Sequence, residues 1–251
     1  MARCGLDVAV NPFGTLYNPV SISNSLFRLD GGIPFREEEC VQMGAGSSLF
    51  CSFSHHTSFA RPTAEEFLSA ANASAMEASD FFKECTTVIV TLGTAWCFFR
   101  GGEVVSNCLK RPASEFERKM LSADMVSSIL KGMVRNLSCG GKRRFIFTVS
   151  PVRHLADTAH GNQLSKSTLL LAVDSLVKEF PDAAEYFPAY EIVMDELRDY
   201  RFYDSDMVHP SPVAVDYIWE KFRDAYFTPE QTESMKESLK EWKRSQHRPL
   251  H

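Results

Sequence analysis

The chain has 251 residues, of which 44% are hydrophobic and 24% charged, and its formal net charge is -5 at pH 7. This balance is typical of a globular protein with a buried core, and it excludes a disordered or fibrous chain. Apart from the run Lys142-Arg143-Arg144, the basic residues are scattered. No broad basic face is therefore expected, and nucleic acid is excluded as a partner.

Seven cysteines are present without a C-x-x-C pair. An odd set of this kind indicates a reducing compartment rather than a disulfide framework or a zinc site. The amino terminus lacks the apolar stretch of a signal peptide, and no run of about 18 apolar residues could span a membrane. We expect a soluble, cytoplasmic protein that has no membrane partner.

Apolar runs predict strands over residues 6–10, 87–92, 145–149 and 186–193. Helical spacing and capping residues predict helices over 63–85, 126–137, 164–180 and 211–226, and another from 228. A hairpin turn is expected at 100–103, and residues 11–62 show little periodicity. Because strands alternate with helices, we expect a parallel sheet with helices on both faces. Residues 1–227 then form one domain, and 228–251 form a C-terminal helical extension.

The run Asp206-Met207-Val208-His209-Pro210 carries the strongest chemical signal. An Asp three residues before a His can fix the tautomer and orientation of the imidazole, as in a serine-hydrolase site. The alternative is an ordinary loop histidine ahead of a well-capped helix. Because the run lies between the last predicted strand and the closing helix, we interpret Asp206 and His209 as catalytic.

Other candidates follow the predicted strands, since ligands of parallel sheets bind beyond the carboxyl ends of the strands. Gly14 could offer its amide to an oxyanion, with a plain turn glycine as the alternative. Arg153 could hold a carboxylate or polar acyl group, with a salt bridge within the loop as the alternative. His56 is interpreted as a pocket residue, because adjacent histidines rarely bind one metal ion. The remaining predicted oxyanion or substrate-binding residues are Asn11, Asn18, Gly93, Thr94 and His154.

Several longer motifs resemble the GSCFA family of the SGNH, or GDSL-like, esterase superfamily. They are, in order, residues 10–19 (VNPFGTLYNP), 91–96 (TLGTAW), 147–154 (FTVSPVRH), 162–166 (NQLSK) and 207–212 (MVHPSP). The resemblance implies a three-layer α/β/α, flavodoxin-like (SGNH hydrolase-like) sheet and an ester hydrolase activity.

This sequence departs from the pattern of that family in three places. The family's Gly-Ser-Cys segment, which follows the first strand and would supply the nucleophilic serine, is expected upstream of Met1 together with that strand. Without that first strand, the strands predicted at 6–10 and 87–92 would face a gap between them in the sheet. Thr94 lies where the superfamily has an oxyanion-binding Asn, and Leu109 lies where the family has a His.

These features predict a hydrolase for a small-molecule or carbohydrate ester, without cofactor or metal. In it a serine attacks the carbonyl, His209 transfers the proton, Asp206 orients His209, and Gly14 with Thr94 stabilises the oxyanion. Two alternatives stay open, acyl transfer to a sugar hydroxyl and a non-catalytic binding remnant.

Overall fold

The computed structural model describes residues 1–246. In chain order, its strands are β1 (Cys40–Gln42), β2 (Phe50–Ser52), β3 (Thr87–Leu92), β4 (Trp96–Arg100), β5 (Glu103–Val105), β6 (Glu117–Met120), β7 (Arg144–Val149) and β8 (Ala184–Tyr186). Its helices are α1 (Pro19–Gly31), α2 (Ala64–Glu84), α3 (Ala123–Leu137), α4 (Thr158–Glu179), α5 (Ala189–Glu191), α6 (Pro212–Tyr226) and α7 (Pro229–Gln246).

The main sheet is parallel, with the strand order β3-β7-β8. Strands β3 and β7 pair along their whole length, from Thr87 opposite Arg144 to Leu92 opposite Val149. This confirms the strands predicted at 87–92 and 145–149. Because the two strands end together, the loops that follow them meet at one edge of the sheet.

Helices cover both faces of this sheet, as expected for a three-layer α/β/α fold. On one face, the buried side chains of β3 and β7 share the large core with helices α1 to α4. On the other face, Ile146 packs in a smaller cluster with Phe187, Ile192 and Phe222 of the α5 and α6 region. The apolar residues of α3 recur at helical spacing, which explains why α3 was predictable from the sequence.

Helix α1 was not predicted from the sequence, although the residues at both of its ends are typical helix-capping residues. Asn18 is the N-cap and accepts a hydrogen bond from Ser21 N at 2.8 Å, Pro19 occupies the first turn, and Gly32 ends the helix in the left-handed conformation. These are the preferred residues at those positions. The Asn-Pro and Gly-Gly pairs that bound α1 were therefore usable signals.

The strand predicted at residues 6–10 is wrong, because these residues form neither strand nor helix. Val10 is 71% exposed, and the segment pairs with no strand in the described chain. A lone strand is unstable without a hydrogen-bonded neighbour, so apolar composition alone did not produce one here. Strand β3 consequently lies at the edge of the sheet.

The strand predicted at residues 186–193 is also wrong over most of its length. Strand β8 ends at Tyr186, and after Pro188 the chain turns into α5 and a π-helix over Ile192–Leu197. Proline has no amide hydrogen for a strand ladder but is well suited to starting a helix. A short apolar run has the same pattern whether it is a buried strand or a buried helix.

A small antiparallel sheet with the order β5-β4-β6 follows β3. The predicted hairpin turn is confirmed, since Arg100 pairs with Glu103 across Gly101 and Gly102, both of which have positive φ. Within residues 1–246 no helix is both long and apolar enough to cross a membrane.

Helix α7 packs against the amino-terminal turn Ala2–Cys4. Met235 is buried, and the guanidinium of Arg3 lies 4.7 Å from the ring centre of Trp242. One side of α7 is therefore covered by the N-terminal turn. Residues 247–251, the end of the predicted extension, lie outside the described residues.

Candidate functional site

Asp206 and His209 form a hydrogen-bonded pair on the loop before α6. Asp206 Oδ2 lies 2.6 Å from His209 Nδ1, and Asp206 Oδ1 accepts from the amides of Val208 and His209 at 2.8 and 2.9 Å. Their side chains are 48% and 61% exposed, respectively. The pair is thus preformed and accessible.

These bonds lower the pKa of Asp206 to about 2, first through the His209 side chain and then through the two backbone amides. The carboxylate is therefore charged at neutral pH. When the ring is neutral, Nδ1–H donates to the carboxylate, and the lone pair of Nε2 is left to accept a proton from another group. This is the tautomer that a general base requires.

The loop that carries the pair is closed by backbone hydrogen bonds. Asp204 N donates to His209 O at 2.8 Å, and Tyr203 and Pro210 form an isolated antiparallel bridge. Met207 at its tip has a positive φ of 60°. The N-cap Ser211 and Pro212 then start α6 as predicted.

Arg153 joins this loop to the end of β7. Its amide donates to Val208 O at 3.3 Å, and its Nη1 atom lies 3.5 Å from Met207 O. Its guanidinium stacks on the ring of Tyr203 at 4.0 Å. The structure therefore brings Arg153 beside the Asp206 and His209 loop.

His154, the next residue, contacts Tyr17, which precedes α1, and Asn162, which lies in α4. Its ring packs edge-on to Tyr17 with centroids 6.4 Å apart, and its amide donates to Asn162 Oδ1 at 3.0 Å. Burial, followed by the charge of Lys166, lowers the pKa of His154. A neutral imidazole is favoured at this position.

Gly93 and Thr94 are held by the segment before α1. Both amides donate to Tyr17 O, at 2.8 and 3.1 Å. The Thr94 hydroxyl contacts Ser165 Oγ at 3.0 Å and accepts from Trp96 N at 3.1 Å. These predicted oxyanion donors are therefore engaged within the protein.

Gly14 has the geometry of a turn glycine. Its φ is +81°, its amide donates to Asn11 O at 2.7 Å, and an added Cβ would overlap the Cβ of His56. His56 accepts from Ser58 N at 3.2 Å through Nδ1. Gly14, Asn11 and His56 thus lie together, but the contacts join them to the loop before α2 rather than to His209. Asn18, as the N-cap of α1, has a structural partner.

Lys166 is a buried charge whose role the sequence did not reveal. Its side chain is fully buried, and Nζ donates to Gly93 O at 2.6 Å and to Ser150 O at 2.7 Å. Burial lowers its pKa to about 8, against a smaller opposing effect of Asp157. Lys166 therefore joins the carboxyl ends of β3 and β7, from which the site loops begin. Its position in the NQLSK motif was the available signal.

His55, the neighbour of His56, lies inside the core. Its ring contacts Phe13, Phe35 and Phe67, and burial lowers its pKa to about 4. Across residues 1–246, no group of three or more His, Cys, Asp or Glu side chains is placed to hold a metal ion.

The fold is thus that of a three-layer α/β protein with a histidine and carboxylate pair near the carboxyl ends of its parallel strands. Comparison with family models matches residues 1–222 to the GSCFA family. The chain belongs to the GSCFA family. Neither the curated proteins nor the solved structures contain a match to it.

Proposed function

We propose that the chain is an ester hydrolase of the SGNH type, with His209 as general base and Asp206 as the carboxylate that orients His209. The main support for this proposal is the 2.6 Å contact between Asp206 Oδ2 and His209 Nδ1 on an exposed loop. It directs the basic Nε2 atom of His209 away from the carboxylate. The Asp-x-x-His motif ahead of α6, which resembles that of the superfamily, supports the same assignment.

In the proposed reaction, a serine hydroxyl attacks the ester carbonyl while His209 Nε2 takes its proton and gives it to the leaving alcohol. Water, with its proton taken by the same atom, then attacks the acyl-serine, which releases the acid and restores the serine hydroxyl. Asp206 stays ionised and stabilises the imidazolium formed between these steps. The substrate class is a small-molecule or carbohydrate ester, and the chemistry requires neither a metal nor a cofactor. The seven free cysteines favour a reducing compartment such as the cytoplasm.

The test is hydrolysis of short-chain nitrophenyl esters by the wild type, His209→Ala and Asp206→Asn. His160→Ala is a matched control, since His160 is exposed on α4. General-base catalysis contributes about 10²–10⁴-fold, so we expect a loss of at least about 100-fold for His209→Ala and no loss for the control. A wild-type rate in His209→Ala would refute the proposal. Labelling with a fluorophosphonate, followed by peptide mass spectrometry, identifies the nucleophilic serine.

A second candidate, a non-catalytic binding module, is favoured by one observation. The amides of Gly14, Gly93 and Thr94, which a hydrolase of this type would direct at the oxyanion, already donate to backbone carbonyls. An oxyanion hole needs donors that are free and preorganised. Ester binding without turnover above the buffer rate, and without fluorophosphonate labelling, would support this alternative.

A further inference from the structure

We propose that Arg153 and Arg198 form a subsite for a carboxylate carried by the ligand, beside Asp206 and His209. This subsite would define the substrate class of the proposed hydrolase. Only the ester bond of the predicted ligand depends on the proposed function. A binding module with the same pocket would recognise the same anion.

The subsite is a pocket of about 150 Å³ between the end of β7 and the segment after the π-helix. It is lined by Arg153, Val193, Met194, Arg198, Asp199, Tyr200 and Tyr203. One water occupies about 30 Å³ in the liquid, so the pocket has room for a short acid rather than a large ring system.

The charges around the pocket favour an anion. Neither Arg153 nor Arg198 takes part in an ion pair within residues 1–246, whereas Asp199 pairs with Arg201 at 3.0 Å. Two arginines without a carboxylate partner therefore line one small pocket, in a protein whose net charge is -5. A planar guanidinium matches the two oxygens of a carboxylate by paired hydrogen bonds.

The aromatic residues position one of the two arginines. The guanidinium of Arg153 lies 4.0 Å from the ring centre of Tyr203 and 5.7 Å from that of Tyr200. Stacking on a ring face leaves the N–H edges of the guanidinium available to a ligand. Arg153 is therefore oriented before a ligand binds, and this reduces the entropy lost on binding.

The backbone at Arg198 is unusual for a large side chain. The π-helix over Ile192–Leu197 ends at Arg198, which has a left-handed φ of 51°. Residues other than glycine adopt this conformation at a cost, and π-helical turns occur preferentially at functional sites. An anionic ligand bound by the Arg198 guanidinium would explain why an arginine occupies this position.

Arg153 lines the pocket and also contacts the Asp206 and His209 loop. Its amide donates to Val208 O, and its Nη1 atom lies near Met207 O. A carboxylate in the pocket would therefore hold an ester of the same molecule near His209. The predicted ligand is a monoester of a short dicarboxylic acid, with its free carboxylate on the arginines.

The test is calorimetric titration of the 251-residue chain with monomethyl succinate, methyl butyrate and inorganic phosphate at one ionic strength. Charge-assisted hydrogen bonds justify an expected preference of at least about tenfold for monomethyl succinate over neutral methyl butyrate. We expect Arg198→Gln and Arg153→Gln to abolish that preference. Arg135→Gln, which removes an exposed arginine of α3, controls for the change in net charge.

Arg198→Gly separates binding from folding, because glycine adopts the left-handed conformation without strain. We expect this variant to keep the Tm of the wild type and to lose the preference. Equal binding of methyl butyrate, tighter binding of phosphate, or an equal loss in Arg135→Gln would each overturn the subsite. Carboxylate-selective binding without hydrolysis would refute only the proposed function, and hydrolysis without selectivity would refute only the subsite.

Discussion

Replacing Lys166 with Met removes the ammonium that joins the ends of β3 and β7. The two hydrogen bonds from Nζ, at 2.6 and 2.7 Å, are charge-assisted and contribute about 1.5–3 kcal/mol each. Burial opposes them, since lowering the pKa from 10.5 to about 8 corresponds to about 3 kcal/mol. We therefore expect Lys166→Met to reduce the free energy of unfolding at pH 7 by only about 0–3 kcal/mol.

The dependence on pH is the sharper part of this prediction. Because the pKa of Lys166 is lower in the folded chain than in the unfolded chain, deprotonation favours folding. The stability of the wild type relative to Lys166→Met should therefore rise from about pH 8 to 10.5, by about 3 kcal/mol in total. Groups that titrate identically in both proteins cancel in this difference.

The assay is urea unfolding of both proteins at 25 °C and at several pH values from 7 to 10.5. Lys240→Met, at an exposed position of α7, controls for removing a surface lysine. A stability difference that does not change with pH, or that shrinks above pH 8, would show that Lys166 is not a buried, partly desolvated ammonium.

Three further predictions concern the loops at this sheet edge. His209→Ala should raise the pKa of Asp206 from about 2 towards its ordinary value, as followed by carboxyl NMR. Since that pKa is lowered in the folded chain, the contribution of Asp206 to stability is present above about pH 4 and is lost as the pH falls through 2; a flat acid profile would contradict this. Gly14→Ala should cost at least about 2 kcal/mol in urea unfolding, through φ strain and overlap with His56, whereas Gly46→Ala, with positive φ in open space, should cost about 1 kcal/mol. Equal costs would show that the overlap is relieved. Asn18→Ala should cost about 0.5–2 kcal/mol by removing the N-cap of α1, and Asn18→Ser should restore most of it.

Most of the α/β layering could be predicted, because α2, α3, α4 and the strands β3 and β7 have strong periodicity or apolar runs. The apolar pattern of the sequence led to wrong predictions where contacts with distant parts of the chain decide the conformation. Residues 6–10 have strand composition but no strand partner, and the apolar run after Pro188 became helical. Local sequence carries no information on the missing partner of residues 6–10, whereas Pro188 was a local signal against a continued strand.

The contact between Asp206 and His209 could be predicted because both residues lie in one turn. The contacts of Lys166 could not, since its two acceptors lie 73 and 16 residues away in sequence. The same reason explains why the sequence did not show that Tyr17 O occupies the amides of Gly93 and Thr94. Roles that depend on such long-range contacts require the fold to be known first.

The edge position of β3 gives one strand two chemically different sides. In a parallel pair, the amides of alternate residues point to the same neighbour. Arg144 N donates to Thr86 O and Ser150 N to Leu92 O, so the even-numbered residues of β3 face β7. The backbone amides of Thr87, Ile89 and Thr91 therefore point to the open edge of the sheet. The side chains of these three residues are also exposed. Amide hydrogen exchange along β3 should therefore alternate, with fast exchange at these three residues and slow exchange at Val88, Val90 and Leu92.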